Sequence, residues 1–200
     1  MGRPRSFDTE AVLDSAAAEF RVHGFANTST EKLCEAAGVR RSSLYNTFTS
    51  KEELFVQALQ RYAEVVSLRQ ETVLTNAELD GGTRLWRIVE MVVAEEFAAH
   101  KEGHAAGCMT VHTFMSPDMR QSDPRVQSIL DRDLDRRISL LTQAAKIGQL
   151  DGSVRPESSP EDVATLIVTV ISGLRVTAQT GAEPAQLLRV ARMSLAATLV

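Results

Sequence analysis

Between Gly38 and Phe48 the chain reads Gly38-Val39-Arg40-Arg41-Ser42-Ser43-Leu44-Tyr45-Asn46-Thr47-Phe48. Leu44 and Phe48 fall four apart and share a helix face, which leaves Arg41, Ser42, Ser43 and Asn46 on the other faces. Arg, Asn and Ser are side chains that hydrogen-bond base edges in a DNA major groove. A lean apolar face under a rich polar one therefore suits recognition of duplex DNA. A small solvated surface helix is the plainer reading of the same letters. Histidine and cysteine supply a second set, since His100, His104, Cys108 and His112 recur every four residues. On an unbroken helix that spacing would align ligands for zinc or a similar ion. Gly103 and Gly107 stand inside the run and argue against an unbroken helix. Catalysis has no comparable foothold: no phosphate-cradling glycine loop, nucleophile elbow or suitably spaced catalytic histidine occurs, and no cofactor is implied.

Presenting Arg41 through Asn46 takes a preceding helix and a tight turn. Thr28 and Glu31 form a Ser/Thr-x-x-Glu capping box, so a helix opens near Ser29 or Thr30 with Leu33 and Ala37 inward. Gly38 ends it, because glycine takes a positive φ without a Cβ penalty. Ser50-Lys51-Glu52-Glu53 repeats the cap signal and starts a long helix, with Leu54, Phe55, Ala58, Leu59 and Tyr62 at helical spacing to about Asn76. Lys51 then lies beside the positive end of that helix, a position that a phosphate would favour. Upstream, Asp8 caps a first helix with Val12, Leu13, Ala16, Ala17 and Phe20 in one stripe. Gly24 ends that helix, and Phe25 folds back. These stripes build a three-helix core around a helix-turn-helix.

The sequence resembles the tetracycline-repressor (TetR) family of bacterial transcription regulators. Thr28-Ser29, Leu33, Ala36-Ala37-Gly38-Val39, Ser43-Leu44-Tyr45-Asn46-Thr47-Phe48, Ser50-Lys51-Glu52 and Leu54 carry the resemblance, which covers about the first quarter of the chain. It implies Arg41, Ser42 and Asn46 as base readers, with Thr28, Tyr45 and Lys51 as phosphate anchors. Arg40 departs from the family, which more often has a small hydroxyl cap there. Either Arg40 holds a phosphate or the helix starts a residue later. Gly2-Arg3-Pro4-Arg5 is a short basic arm that can supply Arg3 and Arg5 to a minor groove, its plainer reading being a disordered terminus.

The chain has 200 residues, of which 44% are hydrophobic, enough for a buried core. We expect an all-α protein of about nine helices: a DNA-binding domain over residues 1–50 and an effector-binding and dimerisation domain over 51–200. The formal net charge is −4, but residues 1–51 hold seven Lys/Arg against six Asp/Glu, so the acidity belongs to the remainder. No apolar run spans a bilayer and no signal-peptide segment leads the chain, so a soluble, cytoplasmic protein is expected. Cys34 and Cys108 make no disulfide framework. Later helices are expected over 83–100, 108–115 and 123–148, with starts at Ser159-Pro160 and Glu183-Pro184.

Val163, Leu166, Ile167, Val170, Ile171 and Leu174 recur at helical spacing and, with Leu187, Leu188, Ala191 and Leu195, can pair with a second copy as a four-helix bundle. Internal core is the alternative, and the resemblance implies dimerisation through the last two helices. A dimer would set two reading helices about 34–36 Å apart, matching a near-palindromic operator. The resemblance also implies an effector pocket among the middle helices. Trp86, Met91, Met109, His112, Phe114 and Met115 are its candidates, an apolar set suited to a small apolar effector or to plain packing. The resulting expectation is a ligand-responsive regulator, a repressor rather than an activator. The alternative is a thiol- or metal-responsive sensor with Cys108 as its sensing residue, since a helix N-terminus lowers a thiol pKa. An inert, buried cysteine is the plainer reading of Cys108, and Cys34 reads as packing.

Overall fold

The computed structural model describes residues 8–200. Among them run α1 (Thr9–Asn27), α2 (Thr30–Ala37), α3 (Arg41–Phe48), α4 (Lys51–Leu74), α5 (Gly81–Lys101), α6 (Met109–Phe114), α7 (Pro117–Ser122), α8 (Pro124–Asp151), α9 (Pro160–Ala178) and α10 (Pro184–Leu195). The described residues form no strand, and the sole bridge pairs Val154 with Leu199. No helix among them is long and apolar enough to cross a membrane.

Ten helices replace the nine expected because Ser116-Pro117 does more than close α6. Pro117 occupies the first turn of the short α7, where its missing N–H costs nothing. Side-chain caps fix most starts: Asp8, Ser50, Asp123 and Ser159 each accept a backbone N–H at the head of α1, α4, α8 and α9. The capping box at Thr28 is corrected by one residue. Ser29 is the N-cap of α2 and accepts from Lys32 N, whereas Thr28 is fully buried and donates its hydroxyl to Gly24 O at 2.7 Å. Gly24 breaks α1 as expected, with φ 73° and ψ 171° inside the span.

Two apolar cores result. The first joins α1, α2, α3 and the first half of α4 around Phe20, Leu33, Phe48, Leu54 and Leu59, and draws in Met109, Val126 and Leu130 from α6 and α8. Phe20, Phe25 and Phe55 form an aromatic cluster at its centre, with ring centroids 5.0–6.1 Å apart. Each large side chain buried there contributes about 1.5–3 kcal/mol, which holds α3 on a firm base. The second core lies among α5, α8, α9 and α10, around Leu85, Ile88, Leu141, Ile167 and Leu187. The long helix α4 belongs to both, packing on α1 at one end and on α5 and α8 along its length.

Candidate nucleic-acid interface and the body residues

Gly38 takes φ 64°, closes α2, and turns the chain into Arg40 and α3. Leu44 and Phe48 are buried at 3% and 1% exposure, so α3 is pinned by the face the sequence marks as apolar. Arg40, Arg41, Ser42 and Asn46 are exposed on the other side, with Ser43 and Tyr45 half-buried at its edges. Arg40 makes no side-chain cap bond, so its guanidinium is not spent on the helix start. Arg41 Nη1 donates to Glu31 Oε1 at 3.0 Å, and its guanidinium carbon lies 5.5 Å from the Tyr45 ring centroid. The Tyr45 hydroxyl sits 3.1 Å from Thr30 Oγ1. Lys51 is half-buried, its Nζ 4.2 Å from the centroid of Phe25, so an aromatic face supports the cation beside the positive end of α4.

Thr49 joins α3 to α4 at φ 58° and ψ −42°, an unusual conformation for a β-branched residue. Its N–H bonds Tyr45 O at 3.1 Å, and Ser50 N–H bonds Phe48 O at 2.5 Å. Thr28 is not part of the exposed face formed by Arg40, Arg41, Ser42 and Asn46. With no exposed area and its hydroxyl held by Gly24, it serves the head's interior and cannot touch a phosphate in this conformation. Arg3 and Arg5 lie outside the described residues.

The six candidates for an effector pocket do not converge. Met109 is fully buried in the first core, with Phe114 packed beside it, and Met115 is 75% exposed. His112 lies near Gly24 and Phe25, where burial lowers its pKa, whereas Trp86 and Met91 pack on the second core. The four-residue spacing of His100, His104, Cys108 and His112 also fails to make one site, because α5 ends at Lys101 and α6 begins at Met109. His100 faces Glu183, His104 faces Glu102, and Cys108 Sγ accepts from Tyr62 Oη at 3.7 Å. No group of three metal-ligating side chains exists among the described residues.

The expected dimer residues need a similar correction. Val163, Ile167, Ile171, Leu174, Ala191 and Leu195 are all at most 4% exposed within one chain and belong to its own core. Leu166, Val170 and Leu188 remain half-exposed. The most apolar stripe of α9 faces α5 and α8, and a second arc of Leu166, Thr169, Val170, Gly173, Val176 and Thr177 faces outward. On α10 the outward residues include Val190 and Met193, at 45% and 77% exposure.

The family model described as bacterial regulatory proteins of the tetR family matches residues 12–58, which span the head and the start of α4. Over 201 residues the chain is 30% identical to the HTH-type transcriptional repressor ComR of Escherichia coli (strain K12), covering 97% of this chain and 90% of ComR. This protein belongs to the tetR family. It is also 27% identical to the HTH-type transcriptional repressor BdcR of the same strain, over 96% of this chain and 90% of BdcR. Among solved structures, a cysteine mutant of the TetR-family regulator CifR, in complex with 26-bp double-strand operator DNA, is 28% identical. It superimposes with a TM-score of 0.80, covering 98% of this chain and all of that one.

As a member of the tetR family the protein is a transcriptional regulator. One feature of its body escaped the sequence reading. Arg175, 6% exposed in α9, donates to Glu96 Oε1 at 2.6 Å and also pairs with Glu95. Glu96 is 2% exposed, and its other oxygen accepts Ala106 N–H at 2.8 Å. A lone arginine inside an apolar helix was the available signal, since a buried cation requires an acidic partner.

Proposed function

We propose that this tetR-family regulator is a repressor that grips a near-palindromic operator as a homodimer and releases it when a small molecule binds. One observation carries the reading: α3 is anchored by buried Leu44 and Phe48 while Arg40, Arg41, Ser42 and Asn46 stand exposed on its free side. In this reading Arg41, Ser42 and Asn46 contact bases, Arg40, Ser43, Tyr45 and Lys51 approach phosphates, and Arg3 and Arg5 follow the minor groove. CifR's complex with operator DNA supports the same placement for this chain.

Residues 1–50 would act as the DNA-binding unit and residues 51–200 as the effector and dimerisation unit. Dimerisation would use the outward arcs of α9 and α10, where Val176, Val190 and Met193 are uncovered in the single chain. The body would undergo no chemistry, and the site of action would be the cytoplasm, where the operator is. A change in the tilt of α4, which packs on both cores, would shift the separation of the two heads. The test is a mobility shift with DNA upstream of the protein's own gene. Retardation by apo protein at low salt is expected, and its absence would refute DNA binding.

A further inference from the structure

A cavity of about 310 Å³ opens between the second half of α5, the loop after it, the end of α9 and the start of α10. Ala178, Ala182 and Leu187 give it an apolar wall, and Glu96, His100 and His104 give it polar groups. No lysine or arginine lines it. Behind the wall, Arg175 is shared by two carboxylates, Glu95 and Glu96, and neither acid has another ion-pair partner among the described residues. Arg175 and Glu96 are buried and Glu95 is half-exposed, so the three groups together hold one negative charge in excess, with Glu96 the carboxylate that lines the cavity. Two further acids, Glu183 and Glu102, stand 3.3 and 3.2 Å from the imidazoles of His100 and His104. Excess negative charge in a partly desolvated recess favours a positive partner, and the volume is at the small end of ligand pockets.

We propose that this cavity is an effector site for a small organic amine whose ammonium group sits against Glu96 and whose apolar body lies on Ala178, Ala182 and Leu187. The route to the head starts at the same carboxylate. Glu96 holds Ala106 N–H, and the next residue, Gly107 at φ 68°, approaches α1 so closely that a Cβ would stand 2.2 Å from Arg21 O. The one after it, Cys108, accepts the Tyr62 hydroxyl of α4. Three consecutive loop residues thus touch α5, α1 and α4. An ammonium drawn to Glu96 competes with Ala106 N–H for the carboxylate, loosens the loop, and lets the head shift on the body. The coupling to DNA rests on the proposed repressor function, whereas binding in the cavity does not.

The test is calorimetry on the full-length protein without DNA, using benzylammonium chloride as probe and benzyl alcohol as its uncharged counterpart. The ammonium is expected to bind and the alcohol not to. Glu96→Gln should weaken binding about tenfold or more, the effect of losing roughly 1.4 kcal/mol of charge pairing. Ala182→Leu should fill the cavity and abolish binding, with the helical circular-dichroism spectrum unchanged and the ion cluster untouched. Absence of heat with the ammonium, or equal binding in wild type and Ala182→Leu, would overturn the site. Fluorescence anisotropy with operator DNA separates the two readings. Amine-induced release in wild type but not in Ala182→Leu supports the coupling. Operator binding that ignores the amine refutes the effector role alone. Amine binding by a chain that holds no operator keeps the site and removes the DNA reading.

Discussion

If Arg41 reads a base as proposed, Glu31 restrains it, and removing Glu31 should tighten DNA binding. Arg41 cannot reach a base edge while its guanidinium is held at 3.0 Å by Glu31. Both side chains are largely in solvent, at 64% and 71% exposure, so their pairing is weak and its release should raise affinity only about two- to fivefold. By contrast, Arg41→Ala would lose the proposed base contact itself, about 1–3 kcal/mol, or roughly 5- to 150-fold. Glu31 is also an acid in the first turn of α2, where it favours the helix. Glu31→Gln should therefore lower folding stability slightly while tightening DNA. A purely structural role would move both in the same direction. The assay is fluorescence anisotropy at fixed salt on an operator duplex, with wild type, Glu31→Gln, Arg41→Ala and the double variant. The gain from Glu31→Gln should shrink in the Arg41→Ala background. An unchanged affinity in Glu31→Gln, or an equal gain in both backgrounds, would show that Arg41 is not what Glu31 restrains.

Lys51→Ala should weaken all DNA sequences alike and reduce the salt slope by about one unit; an unchanged slope would remove Lys51 from the phosphate contacts. Thr28→Val should cost about 0.5–1.5 kcal/mol in urea unfolding, because it removes the hydrogen bond that the half-buried Gly24 carbonyl accepts, and leave the DNA affinity of the folded protein unchanged. Met193→Glu should shift the protein to monomer in sedimentation and weaken operator binding, whereas Ile167→Ala should cost about 2–5 kcal/mol of stability as a core cavity. Asp14 is held below its ordinary pKa chiefly by its hydrogen bonds from Arg61, so its contribution is present above the unfolded value and lost as pH falls through the lowered one. Asp14→Asn should accordingly shift the urea midpoint at neutral pH, with the difference from wild type vanishing in acid.

The head was legible in the sequence because its signals are local. Asp8 and Ser50 announce their helices through capping chemistry within three residues. Leu44 and Phe48 mark the buried face of α3 through spacing alone. Thr28 and Ser29 offer adjacent hydroxyls, and the pattern cannot say which one caps until the position of the Gly24 carbonyl is known. The body was read less well because its assignments depend on which surfaces meet. In α9 the apolar arc is wide enough to serve both a core and a partner, and periodicity ranks its sides without naming their neighbours. Met109 and Trp86 look alike as large apolar residues of the middle helices, yet they belong to different cores. The link between Arg175 and Glu96 spans 79 positions, beyond the reach of any local pattern.

The joint at Thr49 and Ser50 bears on induction. With the N–H groups of both residues tied back to α3 and Ser50 capping α4, the connection has no slack. Any motion of the long helix must carry its neighbour along as a solid piece, so a small molecule could change where two subunits land on the duplex but not which letters each one accepts. Inducer would then slide every operator variant down the affinity scale by the same factor, and the ranking among variants would survive.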